Sequence, residues 1–256
     1  SMVDMNITNA FLNALPQSSQ IILVGDPDQL SPIGSGAIWQ VLQNKEMKKK
    51  FKSNSVDLIK SYRNKGDIAL LRDILKKEGL DPFWHKLSKT STTSNVRKQR
   101  SSSVNLPKSL ISTLIKHKTK LKSLTDFAVK SIQNEAWISS MIEVIPSPEI
   151  IKLFTFLGNL LVLCPQKYSH WGTHKINEFL LGNITSKGIS SWEQATPVIC
   201  GSNQAELGLA NGVIGLVIGE GLKRRILFNI LSEDQKLVIR LIHPSRVNVL
   251  DPAYAM

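Results

Sequence analysis

Carboxylates and an amide follow an apolar run near the start of the chain. Residues 21–24 are Ile-Ile-Leu-Val, and Gly25-Asp26-Pro27-Asp28-Gln29-Leu30 comes directly after them. A short run of this composition is typical of a strand buried on both faces, as in a parallel sheet flanked by helices. Ligands bind at the carboxyl ends of such strands, so Asp26 and Gln29 are predicted on the ligand side of a sheet. The alternative is an ordinary turn, in which Pro27 fixes the backbone.

A second candidate follows the apolar run 56–59, which we predict to be another short strand. Lys60-Ser61-Tyr62-Arg63 comes next, at the end of that run. The Arg63 guanidinium is planar and always charged, which suits a phosphate group. The alternative for an isolated Tyr-Arg pair is a surface side chain whose stem packs on its neighbours.

These residues resemble the motifs of a known family. Gly25-Asp26-Xaa-Xaa-Gln29-Leu30, with Pro32 and the small residues 34–37, resembles motif III of the superfamily 1 helicases. Lys60-Ser61-Tyr62-Arg63 resembles their motif IV. Residues 1–4 resemble the end of the Walker B segment of the RecD-type helicases, the alpha subunit of exodeoxyribonuclease V. The resemblance implies an α/β fold, with RecA-like P-loop NTPase portions and a small SH3-like β-barrel inserted in the second portion.

The family's site residues fall on the same motifs. The resemblance implies that Gly25, Asp26, Gln29 and Arg63 belong to the ATP site, with Gln29 and Arg63 acting at the γ-phosphate. The 256 residues contain no Gly-Xaa4-Gly-Lys-Ser/Thr loop and no Walker B acid pair. Phosphoryl transfer depends on that loop and on its metal. We therefore expect ATP and Mg²⁺ to bind a full-length parent protein, and this chain alone to hydrolyse no ATP.

The resemblance extends over nearly the whole chain and implies a division into four parts. These are the end of the first RecA-like domain (1–87), a basic loop and helical connection (88–146), the start of the second RecA-like domain (147–196), and the small barrel with the return to the second domain (197–256).

Hydrophobic patterns predict the elements of these parts. Apolar residues at helical spacing favour helices over 5–15, from Ala37 into 45–52, from Asp67 to Gly79, after Pro107, over 124–137 and over 148–157. Apolar runs favour strands over 158–164, 198–200, 213–218, 225–231 and 237–242. Asn211-Gly212 is a typical hairpin signal. Members of the family that the chain resembles usually carry an acidic residue after this pair, where this chain has Val213.

Composition indicates a polyanionic partner. The formal net charge is +12 and the pI is near 9.7, which suits nucleic acid, although a solvated Lys-rich surface is the simpler alternative. The loop 88–103 is rich in Ser, Thr, Lys and Arg, and the resemblance adds a Gly-containing loop with its helix (165–177) and the segment that leads into the barrel (201–215). The candidate nucleic-acid contacts are Arg97, Lys98, Arg100, Lys167, Asn177 and Asn203.

Other site classes have weaker support. Cys164 and Cys200 both lie in apolar runs, which favours buried thiols over a disulfide. His170 and His174 lie near Cys164 in sequence, but three loosely spaced candidates without a fourth argue against a metal site. No apolar run approaches the roughly 20 residues that cross a bilayer. We expect a cytoplasmic protein with no membrane contact.

The resemblance implies that the chain is a fragment of an ATP-dependent DNA helicase of the RecD type. Such an enzyme translocates on single-stranded DNA in recombination and double-strand-break repair. Its partners are single- and double-stranded DNA and other exodeoxyribonuclease V subunits. The alternatives are a non-catalytic nucleic-acid-binding module and a module that only docks helicase subunits. Salt-dependent binding to an oligonucleotide distinguishes these two, because phosphate contacts release counterions.

Overall fold

The computed structural model describes residues 3–26, 34–58, 65–90, 94–99, 101–102, 104–182, 187–231 and 237–256. The chain divides into two compact units, Ser1–Lys98 and Gln99–Met256. In the described residues the first unit is helical, and the second combines helices with a sheet. Across these ranges no helix has both the length and the apolar composition that a membrane crossing requires.

The described part of the first unit contains five α-helices. They are α1 (Met5–Ala14), α2 (Ile38–Leu42), α3 (Lys45–Phe51), α4 (Asp67–Glu78) and α5 (Leu80–Ser88), and a 3-10 turn (Lys52–Asn54) follows α3. Asp4 and Asn44 begin α1 and α3 by accepting hydrogen bonds from first-turn amides at 2.9 and 2.8 Å. The helices predicted over 5–15 and up to Gly79 are confirmed. The single helix predicted from Ala37 is instead the pair α2 and α3.

The predicted strand over 21–24 is wrong. These residues have no regular structure, and the side chains of Ile22 and Val24 are 81% and 84% exposed. Residues 56–58 of the other predicted strand are also irregular, and Ile59 lies outside the described residues. A strand exists only when a neighbour completes its ladder of hydrogen bonds. The described residues of the first unit supply no such neighbour, so apolar composition alone does not produce a strand here.

The second unit is built on a six-stranded sheet. Its strands are β1 (Met141–Val144), β2 (Pro197–Cys200), β3 (Ile214–Ile218), β4 (Arg225–Leu231), β5 (Leu237–Ile242) and β6 (Leu250–Pro252). Their order is β1-β5-β4-β3-β2-β6, and every neighbouring pair is antiparallel. The four strands predicted from 198 to 242 are confirmed, whereas β1 and β6 were not predicted.

Among the described residues of the second unit, three α-helices accompany this sheet. They are α6 (Lys108–Lys130), α7 (Pro148–Leu157) and α8 (Thr173–Leu181), with 3-10 turns at Asn134–Trp137, Ile189–Ser191, Ala205–Leu207, Gly221–Lys223 and Pro244–Arg246. The predictions of helices after Pro107 and over 148–157 are confirmed. The helix predicted over 124–137 is in fact the last part of α6 followed by a separate turn.

Both faces of the sheet are buried. Successive residues of a strand point to opposite faces, and the cross-strand neighbours Leu216, Leu227 and Leu241 cover one face. This face packs against the apolar sides of α6 and α7. Phe228 is on the other face, in a core that includes residues of α8. The sheet is therefore the middle layer of the second unit.

The sheet is open, so the prediction of a closed SH3-like barrel over 197–250 is not supported. β1 and β6 form its two edges and do not pair with each other. The physical reason lies outside the predicted range, because β1 joins the free edge of β5 at the register Met141↔Ile242. This addition widens the sheet on the side where closure would have to occur.

The predicted strand over 158–164 is an extended segment with one buried side. Leu160, Val162 and Cys164 pack against the core, whereas Leu161 and Leu163 are exposed. Cys164 N donates to Met256 O at 2.8 Å, and Met256 N donates to Val162 O at 3.0 Å. This pair of hydrogen bonds has the pattern of two parallel chains. The segment is thus anchored by the last residue of the chain rather than by the six-stranded sheet.

The Asn211-Gly212 pair forms a turn but not the predicted tight hairpin. Val213 N donates to Ala210 O at 3.2 Å, and Gly212 has φ +90°, the conformation that favours glycine at the third position of a type II turn. This turn ends the long connection from β2 to β3. The connection closes where Cys200 N donates to Val213 O at 2.9 Å.

Candidate functional site

The backbone at Gly25 passes directly over the Trp39 indole. A side chain at Gly25 would place its Cβ 2.7 Å from Trp39 Cε2, closer than any such contact tolerates. Trp39 lies in α2, and its indole N–H is buried with no hydrogen-bond partner among the described residues. Asp26, next along the chain, is exposed. Glycine is therefore required at position 25 by its close packing on Trp39. This packing fixes the backbone immediately before Asp26.

The small residues after the motif pack against the start of α1. Met5 N donates to Ser35 O at 3.1 Å. A Cβ at Gly34 would lie 2.0 Å from Asp4 Oδ2. Gly36 has φ +95°, and a Cβ added to it would lie 2.8 Å from Met5 Cβ. Both positions exclude larger side chains. Residues 34–36 thus join the end of the motif to the amino-terminal end of α1.

The two residues predicted to act at the γ-phosphate are outside the described structure. Gln29 falls in the undescribed range 27–33, and Arg63 falls in 59–64. Gly25 and Asp26 are therefore the only members of the predicted ATP site whose positions are described. The roles of all four residues in binding ATP stay predictions.

One predicted nucleic-acid contact of the first unit lies over an aromatic ring. Lys98 Nζ is 4.8 Å from the centre of the Trp84 ring, and Phe83 meets Trp84 edge-on at 5.2 Å. Trp84 is on α5 and is 46% exposed. A cation over an exposed indole is an arrangement that also stacks bases. Sequence reasoning missed Trp84, although the Phe83-Trp84 pair was visible. Arg97 is described and exposed, whereas Arg100 is outside the described residues.

Two candidates of the second unit are exposed and have partners within the protein. Lys167 Nζ lies 3.8 Å from Asp251 Oδ2 and 5.8 Å from the centre of the Tyr168 ring. Asn203 Oδ1 accepts a hydrogen bond from Asn211 N at 2.7 Å, which bridges the two ends of its loop. Their contacts with nucleic acid stay predictions.

Asn177 has a different setting. Its side chain is buried, and its amide donates to Pro252 O at 2.9 Å and to Ala255 O at 3.2 Å. Its Oδ1 accepts from Ala255 N at 3.1 Å. These three hydrogen bonds occupy the amide within the protein, and the contact of Asn177 with nucleic acid stays a prediction. Its evident role is to hold the carboxyl-terminal segment against α8.

The loop before α8 leaves little room for an anion at the helix start. Thr173 N donates to Gln166 O and His174 N donates to Lys167 O, both at 3.2 Å. A Cβ at Gly172 would lie 2.5 Å from Lys167 O, so this glycine is required by the close approach of the loop backbone. The first amides of α8 are thus used by the protein's own carbonyls, unlike those of phosphate-binding helices.

Charged groups near α8 are mutually paired. Lys175 Nζ donates to Glu178 at 2.8 Å, and this hydrogen bond lowers the pKa of the Glu178 carboxyl. His174 stacks obliquely on Tyr168 at 5.7 Å. Within the described ranges, no three His, Cys, Asp or Glu side chains come together as a metal site requires.

Burial raises the pKa of the Cys164 thiol.

Comparison with protein-family models gives a match at the start of the chain. Residues 1–79 match the family model of an AAA domain. The match indicates a P-loop helicase-like AAA region, and the matched residues include both the Gly25-Asp26 segment and the Lys60–Arg63 tetrapeptide. No curated protein matches the chain.

Proposed function

We propose that the chain is part of an ATP-dependent DNA helicase of the RecD type, acting in recombination and double-strand-break repair. The observation that carries the proposal is the AAA-domain match over residues 1–79. The two helicase-like motifs lie within the same residues. Family model and motifs therefore agree on one stretch of the chain.

In this proposal, the ATP site uses the motif that follows Gly25. The close packing of Gly25 on Trp39 fixes the backbone that leads into Asp26, and Gln29 follows three residues later in the sequence. An amide such as that of Gln29 donates a hydrogen bond to a phosphate oxygen, and the Arg63 guanidinium stabilises charge on a transferring phosphoryl group. The donor types fit a nucleoside triphosphate. Mg²⁺ with ATP would supply the phosphoryl chemistry in the full-length gene product.

The proposed macromolecular partner is DNA. The formal charge of +12 and the Lys98–Trp84 pair support this partner, because single strands are bound by cations combined with exposed aromatic rings. The same pair also favours a second candidate function, a nucleic-acid-binding module without ATP chemistry. Other exodeoxyribonuclease V subunits are proposed protein partners on the resemblance alone.

Unwinding of a partial duplex by the full-length gene product tests the proposal. We expect strand separation with ATP and none with a non-hydrolysable analogue. In Gln29→Ala, unwinding should fall further than hydrolysis, because the lost contact exists only while the γ-phosphate is bound. A gene product that binds single-stranded DNA but shows no DNA-stimulated hydrolysis would favour the binding module and contradict the helicase proposal.

A further inference from the structure

The solvent side of α6 carries a row of cations around one aromatic ring. Lys116, Lys120, Phe127 and Lys130 fall within an arc of about 80° on the helix, since each residue turns it by about 100°. All four side chains are exposed, whereas Leu121 on the opposite side is fully buried. The row is about 21 Å long at 1.5 Å per residue. We call these four residues the lysine row.

Acidic side chains do not neutralise the lysine row. Among the ion pairs of the described residues, none involves Lys116, Lys120 or Lys130. Lys118, outside the arc, behaves differently and lies 3.3 Å from Glu193 Oε2. Asp126 is the one acidic residue in α6, and it also lies outside the arc.

Asp126 also has a hydrogen-bond partner outside the lysine row. Gln194 Nε2 donates to Asp126 Oδ1 at 2.7 Å, which holds this carboxylate toward the segment before β2. The lysine row therefore carries a net positive charge along a rigid helix, although Asp126 lies one turn before Lys130 and keeps its own charge. Such a stretch attracts a flexible polyanion, and the polyanion releases its bound counterions when it binds.

Phe127 identifies the kind of polyanion. Its ring is 60% exposed, and Lys130 Nζ lies 5.9 Å from the ring centre. A duplex offers phosphates but keeps its base faces stacked inside. A single strand offers both phosphates and unstacked bases, and aromatic rings beside cations are the usual platform for them.

We infer that the lysine row binds single-stranded nucleic acid, with a base stacked on Phe127 and phosphates beside Lys116, Lys120 and Lys130. This inference rests on the proposed function in one respect, that nucleic acid is the partner. It goes beyond that function by assigning the contact to the solvent side of α6.

Anisotropy of a labelled oligothymidylate, titrated with this chain at several salt concentrations, tests the inference. The test variant is Lys116→Gln/Lys120→Gln/Lys130→Gln. The matched control is Lys152→Gln/Lys187→Gln/Lys223→Gln, which removes the same charge from exposed lysines elsewhere in the second unit. We expect the slope of log affinity against log salt to become shallower by about 2 in the test variant. The control should retain nearly the wild-type slope.

Phe127→Leu separates stacking from charge. It keeps an apolar side chain of similar size and every lysine, so the salt slope should not change. Affinity for the oligonucleotide should fall roughly fivefold to a hundredfold, the range for loss of one stacked base. Circular dichroism should show unchanged helix content, because all substituted side chains are exposed.

Equal weakening by the two triple variants would overturn the inference, since net charge alone would then explain binding. Unchanged affinity of Phe127→Leu, with heparin competing as well as single strands, would also overturn it. Failure of the wild-type chain to bind any oligonucleotide would overturn the inference and would also contradict the nucleic-acid partner of the proposed function. The two failures are therefore distinguishable.

Discussion

Replacing Arg225 with Met should strongly destabilise the second unit. Arg225 begins β4 and is only 4% exposed. Its guanidinium donates to Ser139 O at 3.2 Å, to Leu222 O at 3.0 Å, to Arg224 O at 2.8 Å and to Trp137 O. No ion pair of the described residues includes it. The cation thus clamps the chain before β1 to the β3–β4 connection through backbone carbonyls.

The magnitude follows from what the substitution leaves behind. Met fills most of the volume of the arginine stem but leaves four carbonyls without their charged donor, at about 1–3 kcal/mol for each one that stays dry. Relief from burying an ion offsets part of this loss. If two of the four carbonyls stay dry, the free energy of unfolding falls by about 3–5 kcal/mol. For a unit of this size, the midpoint of thermal unfolding should fall by about 6–20 °C.

Thermal and urea unfolding, followed by circular dichroism, measure this effect. Arg246→Met is the matched control, because Arg246 is exposed and should tolerate the change within about 0.5 kcal/mol. Arg225→Lys should give an intermediate loss, since an ammonium cannot reproduce the planar fork. If Arg225→Met were as stable as the control, water would be satisfying the carbonyls and the clamp would be refuted.

Three further predictions concern buried or partly buried polar groups. Asn177→Ala should cost about 2–3 kcal/mol in urea unfolding, because it removes three buried hydrogen bonds; equal loss in the exposed Asn203→Ala would contradict this. Burial lowers the pKa of His117, against a weaker opposing hydrogen bond to Phe156 O. Its contribution to stability is therefore present above the unfolded pKa of about 6.5 and is lost as pH falls below it. In His117→Gln, the melting temperature should depend less on pH between about pH 7 and pH 5. The same pH dependence as in the wild type would refute the role assigned to His117. Because burial raises the pKa of Cys164, iodoacetamide should modify it more slowly than glutathione at pH 7.5, as judged by mass spectrometry; an equal rate would contradict this.

Local sequence patterns predicted strands β2 to β5 of the second unit, because these are short apolar runs separated by turn signals. The same reasoning failed for residues 21–24, which are equally apolar. The difference is a neighbouring strand, and a sequence pattern does not show which segments pair. β1 and β6 were missed for the same reason, since each is a strand only because β5 or β2 offers it an edge.

The candidate sites show a similar limit. The motif around Gly25 was visible as a sequence, but its packing on Trp39 depends on where α2 lies. Asn177 was visible as a polar residue on a helix, yet burial under the carboxyl-terminal segment decides its role. The lysines of α6 are plain in the sequence. Their importance became clear only once the structure showed which side of the helix is buried.

The helicase proposal is tested most directly by DNA-stimulated ATP hydrolysis of the full-length gene product and its Arg63→Ala variant. Loss of an arginine that stabilises the transferring phosphoryl group reduces turnover by about 10³ or more. We predict a loss on that order with ATP affinity changed only a few fold. Lys65→Ala, an exposed cation two positions away, should retain wild-type turnover. Arg63→Ala with wild-type, DNA-stimulated turnover would contradict the proposed role of this motif.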